Sequence, residues 1–405
     1  MTFTTPLSAD EINDMFATAC EYQNSLEYDR AKAIYLHMLT HVDGPLLRYN
    51  LGLVYFDLKE YTKATEQFKI GITMQPEDQD MLFNLAISQK ASGDTHSAIA
   101  SYLQLLELND KHLDALYNLA GCYRENRETK AAIRYYELVL LHDPENDAAT
   151  NNLAFTFHLT GDLERALYYY RQLLRLRPNH APASHMIAAL EGATPTQPPD
   201  EYIKEVFDNY SATYEESLTK KLDYSVPEQL RTVMDTFRGT SESFERGIDL
   251  GCGTGLSALA FQDVVKEFHG IDLSPKMIER AREKNIYTNL IAGNILNILQ
   301  ERIDHQPYDF ILAADVFIYL GELNEFFETI RNCSSAHALF CFSTEKTASG
   351  RRYQLRPSGR YAHSRDYIHE TLALNGWEVL VCKDADLRKE KGDWIQGDLW
   401  IASRI

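Results

Sequence analysis

One residue pattern returns four times at a spacing of 34, in blocks that open at Pro45, Gln79, Leu113 and Asp147. The seventh position is Leu51, Leu85, Leu119 and Leu153. The eighth is small, at Gly52, Ala86, Ala120 and Ala154. The twentieth is Ala64, Ala98, Ala132 and Ala166, and the twenty-fourth is aromatic, at Phe68, Tyr102, Tyr136 and Tyr170. Within a block, Leu47, Leu51, Val54, Tyr55 and Leu58 recur at helical spacing. Lys59-Glu60-Tyr61 turns the chain, and Ala64, Phe68 and Ile72 mark a second helix. Small residues at positions eight and twenty let the two helices approach, and Pro76, Pro144 and Pro178 stop the second one. A period of this kind cannot build a single closed core. It builds a stack in which each unit buries its face on the next.

The period and its small and aromatic positions resemble the tetratricopeptide repeat. A weaker copy lies upstream at Ala19, Tyr22, Ala31 and Tyr35, one residue short in spacing, and His180–Leu190 reads as a capping helix. An all-α tetratricopeptide solenoid is therefore expected over residues 11–190. Position six is Asn in every block, at Asn50, Asn84, Asn118 and Asn152. In arms of this family such positions tend to face the groove, where side-chain amides can hydrogen-bond a protein or peptide backbone; the same amides can equally meet only water.

The rest of the chain does not repeat. Glu191–Pro199 is rich in Pro, Gly and Thr and is expected to be a linker. From Asp200 to the end, strand-like runs alternate with helical ones: 247–250, 268–273, 289–295, 308–314, 337–343, 377–381 and 399–404. This alternation predicts an α/β, Rossmann-like domain over 200–405, with a mostly parallel seven-stranded sheet. In such folds ligands lie beyond the carboxyl ends of the strands.

Asp249-Leu-Gly-Cys-Gly-Thr-Gly255 follows the first strand and opens a helix. Three closely spaced glycines permit a sharp turn and close approach to a ligand. Asp272 ends the second strand, where a carboxylate can accept both ribose hydroxyls of a nucleoside. The spacing G-x-G-x-G differs from the dinucleotide fingerprint G-x-G-x-x-G, which counts against a nucleotide-dependent oxidoreductase. Together with Ile-Asp-Leu-Ser-Pro-Lys-Met-Ile278, the loop resembles the class I S-adenosylmethionine-dependent methyltransferases. The layout as a whole resembles a bacterial family of predicted tetratricopeptide methyltransferases.

That resemblance implies S-adenosylmethionine as cofactor. It implies Asp249, Gly251, Gly253 and Gly255 around its methionine part and Asp272 at the ribose. Leu273 and Met277 would pack on the adenine, and Asn294, followed by Ile295, would bind the adenine amino group through its carbonyl. Asp315 would lie near the methyl group or, in a competing reading, cap the next helix. Tyr210 and Tyr214, in a segment resembling a lid helix, would close over the cofactor or pack in the core. His363, with Tyr361 second, is the candidate base for an acceptor that must lose a proton; a single histidine also serves in a core. The segment Glu345–Arg365 carries Arg351, Arg352, Arg356, Arg360 and Arg365. They suit an anionic acceptor, or pair with the acidic surface of the chain.

Net charge is −19, so neither nucleic-acid binding nor a basic module is expected. Six scattered cysteines without a C-x-x-C pair indicate no metal site and suit a reducing, cytoplasmic setting. No apolar run is long enough for a membrane span and no signal peptide is apparent. The expectation is a methyltransferase whose arm recruits or positions a protein partner. The acceptor would be a protein or a small anionic molecule. The alternative is a non-enzymatic scaffold with an inactive cofactor-binding body.

Overall fold

The computed structural model describes residues 7–210, 215, 218, 222–238, 243–301, 306–347, 350–390 and 392–405. Two compact units divide the chain, Met1–Pro178 and Asn179–Ile405. In the first, five helix pairs are described: Ala9–Asn24 with Tyr28–Met38, Pro45–Asp57 with Tyr61–Met74, Gln79–Ala91 with Thr95–Leu108, Leu113–Glu125 with Thr129–His142, and Asp147–Thr160 with Leu163–Leu176. The repeated alanines and aromatics are all buried. Gly52 shows why position eight is small: a methyl group there would come within 2.6 Å of the Phe68 ring.

The turns inside the pairs repeat as well. Leu26, Lys59, Gly93, Arg127 and Gly161 all take positive φ, between 61° and 88°. Two of the five are glycines, and the other three carry the steric cost of this conformation. The asparagine row is partly committed to its own helices. Asn50, Asn84, Asn118 and Asn152 each donate from Nδ2 to the carbonyl four residues back, at 2.8–3.1 Å. Two of them also reach the preceding repeat: Asn84 to the Tyr49 hydroxyl at 3.3 Å and Asn152 to that of Tyr117 at 2.7 Å.

The second unit is built on a seven-stranded sheet in the order β3-β2-β1-β4-β5-β9-β8. Its strands are β1 (Phe244–Leu250), β2 (Val265–Asp272), β3 (Asn289–Ala292), β4 (Tyr308–Ala313), β5 (Ser334–Glu345), β8 (Trp377–Glu390) and β9 (Asp393–Arg404). β1 to β5 run parallel, β9 is antiparallel to β5, and β8 is antiparallel to β9. Successive side chains go to opposite faces. Phe310, Leu312, Leu339 and Cys341 join one buried cluster; Ile311, Ala313, Phe340 and Phe342 join the other. The last two strands are much longer than their apolar runs suggest, because β8 and β9 stay paired through mostly polar residues, 382–398, among which Ala385 and Leu387 still reach the core. No described helix is long and apolar enough to cross a membrane.

Three segments differ from the expectation. The helix Ala181–Glu191, read as the cap of the repeat arm, packs within the second unit: His185 Nε2 is 2.9 Å from the Gly359 carbonyl, and Ala189 clusters with Leu355 and Tyr361. Its small apolar residues suit either unit, so the sequence pattern does not assign it. Residues 191–199, read as a spacer, are partly pinned to the second unit, where the Thr196 carbonyl accepts the N–H groups of Gly321 and Glu322 at 3.1 and 2.9 Å. Within the arginine-rich segment, β6 (Tyr353–Leu355) and β7 (Tyr361–His363) form a small antiparallel ribbon.

Candidate cofactor and acceptor site

At the carboxyl ends of β1, β2 and β4 lies a cavity with about 1070 Å³ of empty space, counted to its open mouth. The glycine turn forms its floor. Gly251 has φ +67°, and a methyl group there would meet Val316 Cγ2 at 2.7 Å. A side chain at this position would therefore both strain the backbone and fill the cradle. Gly253 donates its N–H to Asp272 Oδ2 at 2.9 Å, and Ser274 donates its N–H to Oδ1 at 2.8 Å. Two backbone amides thus fix the Asp272 carboxylate between the turn and the next helix, Pro275–Glu283. Each carboxylate oxygen has two lone pairs, so the group can hold two amides and still accept from a diol.

Of the residues expected to bind the cofactor, Gly251, Gly253, Asp272, Leu273, Asn294, Ile295 and Asp315 line this cavity. Asp249, Gly255 and Met277 do not; they lie behind it. Asp249 is fully buried and accepts from the Tyr287 hydroxyl at 2.7 Å. Burial pushes its carboxyl up to about 7; the negative charge of Asp272 adds to the rise and the Tyr287 bond opposes it. Gly255, in the left-handed conformation, is the N-cap of the helix Leu256–Phe261. Met277 is buried beneath the turn into its helix. The side chain of Tyr210, and all of Tyr214, fall outside the described residues.

Asn294 departs from its expected role. Its Oδ1 accepts from the N–H groups of Leu296 and Asn297, at 3.0 and 3.4 Å, as the N-cap of the helix Ile295–Gln300. Its carbonyl is thereby committed, and its Nδ2 lies 3.1 Å from both carboxylate oxygens of Asp200.

Asp315 sits just past β4 at φ +58°, a strained setting for a residue with a side chain. It is not the cap of the short helix Phe317–Tyr319, which has no side-chain cap. Its N–H donates to Ser343 Oγ at 2.9 Å, and its Oδ2 pairs with Arg388 at 3.1 Å. Arg388 is itself buried and also pairs with Glu345, which takes a further bond from Arg356 at 2.8 Å. Burial raises the Asp315 carboxyl above its ordinary range, and the Arg388 charge pulls it back.

His363 and Tyr361, expected beside the acceptor, are in the core instead. Neither lines the cavity. Tyr361 is fully buried; His363 is 1% exposed, with Nε2 3.1 Å from the Gly321 carbonyl. Burial lowers the His363 imidazole to about 4, so it is neutral at physiological pH. The ribbon β6–β7 faces both residues inward, and a loop reading of this segment could not reveal that. Most of the nearby arginines are engaged: Arg365 with Asp398 and Asp384, Arg356 with Glu345, and Arg352 over the Tyr367 ring. Arg360 pairs loosely with Glu390, at 3.7 Å.

Several cavity residues carry no motif signal. Gln197, Pro198, Asp200, Ile203 and Phe207 come from the segment read as linker and from the helix after it. Phe207 packs edge-on against Tyr319 at 5.3 Å. The alternating Asp200, Ile203 and Phe207 at helical spacing could have been found as one face of an amphipathic helix.

The family profile described as a methyltransferase domain matches residues 248–340. Tetratricopeptide-repeat profiles match residues 47–78, 83–140 and 123–181. A curated relative, the malonyl-[acyl-carrier protein] O-methyltransferase of Halalkalibacterium halodurans, is 31% identical over 126 residues, covering 29% of this chain and 45% of the relative. The chain thus spans less than half the length of that curated relative. Among solved structures, the N-methyltransferase NodS of Bradyrhizobium japonicum, in complex with S-adenosylhomocysteine, aligns at 16% identity over 50% of this chain and 97% of its own, with a TM-score of 0.40. The tetratricopeptide protein YrrB, described as having an unusual peptide-binding site, aligns at 22% identity over 42% and 89%, with a TM-score of 0.39. The second unit carries a methyltransferase domain over the residues the profile matches, 248–340. The chain as a whole joins that domain to an arm of tetratricopeptide repeats.

Proposed function

We propose that the chain transfers a methyl group from S-adenosylmethionine to an acceptor bearing an anionic group, and that its repeat arm binds a protein partner or substrate. The observation that carries the first part is the Asp272 carboxylate, fixed by the amides of Gly253 and Ser274 on the wall of a cavity floored by Gly251. When bound, the cofactor supplies an electrophilic methyl group on a sulfonium centre. The chain's own contribution is to hold the nucleoside, exclude water and align the acceptor. Asp272 would hold the ribose hydroxyls, and Leu273, Ile295 and Leu296 would cover the base.

On the acceptor side the cations stand behind the cavity wall rather than on it. Tyr319 lines the cavity, and the cations of Arg360 and Arg388 act on its hydroxyl, opposing the rise that burial causes. A carboxylate acceptor needs no base, which fits the withdrawal of His363 into the core. The named reaction of the curated relative, O-methylation of a malonyl carrier conjugate, belongs to the same chemical class. For the arm, Asn50, Asn84 and Asn118 each retain a side-chain carbonyl beside the bond their amide makes, which suits a peptide N–H.

The test has two steps. Calorimetry should show saturable binding of S-adenosylhomocysteine that is weakened in Asp272→Ala. Methyl-labelled cofactor, incubated with the protein and a cell lysate, should then label an acceptor whose label is released as volatile methanol in base, as a methyl ester would release it. Absence of S-adenosylhomocysteine binding would end the enzymatic reading; base-stable label would end the carboxylate acceptor.

A further inference from the structure

The segment that leads into the helix Asp200–Tyr210 is part of the cavity wall. Thr196 is tied by its carbonyl to Gly321 and Glu322, and Gln197, Pro198 and Asp200 then line the cavity. Asp200 opens the helix and meets Asn294 across the wall, with both of its oxygens 3.1 Å from Asn294 Nδ2. Asn294 is the residue whose position would make it the reader of the base. Its carbonyl, however, is saturated by the two amides of the helix it caps. A side-chain carbonyl has two lone pairs, so nothing remains there for a ligand N–H. A carboxylate has about four acceptor positions, and one amide group does not exhaust them. Leu273, Ile295 and Leu296 stand on the same wall. This part of the cavity is therefore apolar with a carboxylate at its edge, and Asn294 serves to fix that carboxylate.

The geometry points to Asp200, held by Asn294, as the group that accepts the exocyclic amino hydrogen of the cofactor's adenine and so selects adenine over a 6-oxo purine. This rests on the reading of the cavity as the nucleoside site. Adenine presents an N–H donor at its six position. Hypoxanthine presents a carbonyl oxygen there, which a carboxylate repels. A site built around a charged acceptor discriminates against the ligand that leaves the acceptor unpaired.

The experiment is calorimetric titration of the full chain with S-adenosylhomocysteine and with S-inosylhomocysteine. The wild-type chain should prefer the adenine ligand by about tenfold or more. In Asp200→Asn the new amide can donate to the 6-oxo group, so the preference should fall to about threefold or less. In Asp200→Ser it should fall by loss of the charged acceptor, with the adenine ligand weakened by about tenfold. Asp200 is exposed in the first helical turn, and unchanged tryptophan emission would verify that each variant is folded. If Asp200 only tethers the wall, both ligands weaken together and the ratio stays put; that result overturns the assignment, as does a wild-type chain that binds both equally. Failure of both ligands to bind the wild-type chain would instead sink the cofactor reading on which the assignment stands.

Discussion

Replacing Arg388 with Met tests the acceptor-side architecture. The substitution keeps most of the side-chain stem and removes the charge. Arg388 is 2% exposed and bridges Asp315 and Glu345, the latter 1% exposed. Removing one partner of a buried ion cluster leaves the others uncompensated and costs about 3–5 kcal/mol. Arg356, which also reaches Glu345, offsets part of this, so the lower end is expected. The readout is built into the chain: its three tryptophans, Trp377, Trp394 and Trp400, all lie in the second unit, so fluorescence follows that unit alone. With a urea slope of about 2 kcal/mol per molar, a loss of about 3 kcal/mol lowers the midpoint by about 1.5 M. The effect must also depend on pH. Burial already raises the Asp315 carboxyl, and Arg388 opposes that rise. Without the arginine, Asp315 rises further, so the variant should suffer less at pH 5 than at pH 7.5. A midpoint shift below about 0.3 M at pH 7.5, or equal shifts at both pH values, would refute the idea of a charge-compensated cluster at the end of β4.

Other outcomes follow from single groups. Asp249 titrates near 7 when folded, above its value of 3.8 in the absence of the fold, so the folded state holds the extra proton between those values. Its stabilising contribution is full below about 4 and is lost as pH rises to 7; Asp249→Asn should remove that decline in urea midpoints. His363 behaves oppositely: its folded value of about 4 lies below 6.5, so stability is lost as pH falls through that window. The two slopes oppose each other in the wild-type chain between about pH 4 and 6.5, and His363→Gln should expose the Asp249 slope in the same titration. The same variant should leave S-adenosylhomocysteine affinity unchanged in calorimetry, because His363 does not line the cavity. Gly251→Ala, by contrast, forces a methyl group to 2.7 Å from Val316 at positive φ and should abolish that binding and lower the urea midpoint.

The parts of this protein that were legible in its sequence are those whose physics is local. A repeat of 34 needs only neighbouring helices to be interpreted, and the glycine turn encodes its own geometry within seven residues. Asp272 follows from the strand that ends in it. The parts that were not legible depend on residues far apart in the chain. Asn294 gives its carbonyl to the first turn of its own helix, at Leu296 and Asn297, and its amide to Asp200, 94 positions earlier, a partner no local pattern reveals. His363 looks like a base until a short ribbon turns it toward Gly321, 42 positions earlier. Arg388 carries no motif at all, yet it is the cation beside Asp315, 73 positions away. This division tracks the chemistry. The wall at Gly251, Gly253 and Asp272 can be written in a short loop, whereas the charged cluster at Asp315 draws on Glu345 at the end of β5 and Arg388 on β8. Exchanging Arg360 for Gln, with labelled transfer measured against S-adenosylhomocysteine affinity, separates the two halves: transfer to an anionic acceptor should fall while affinity holds. Loss of both together would mean that the two sides are not independent.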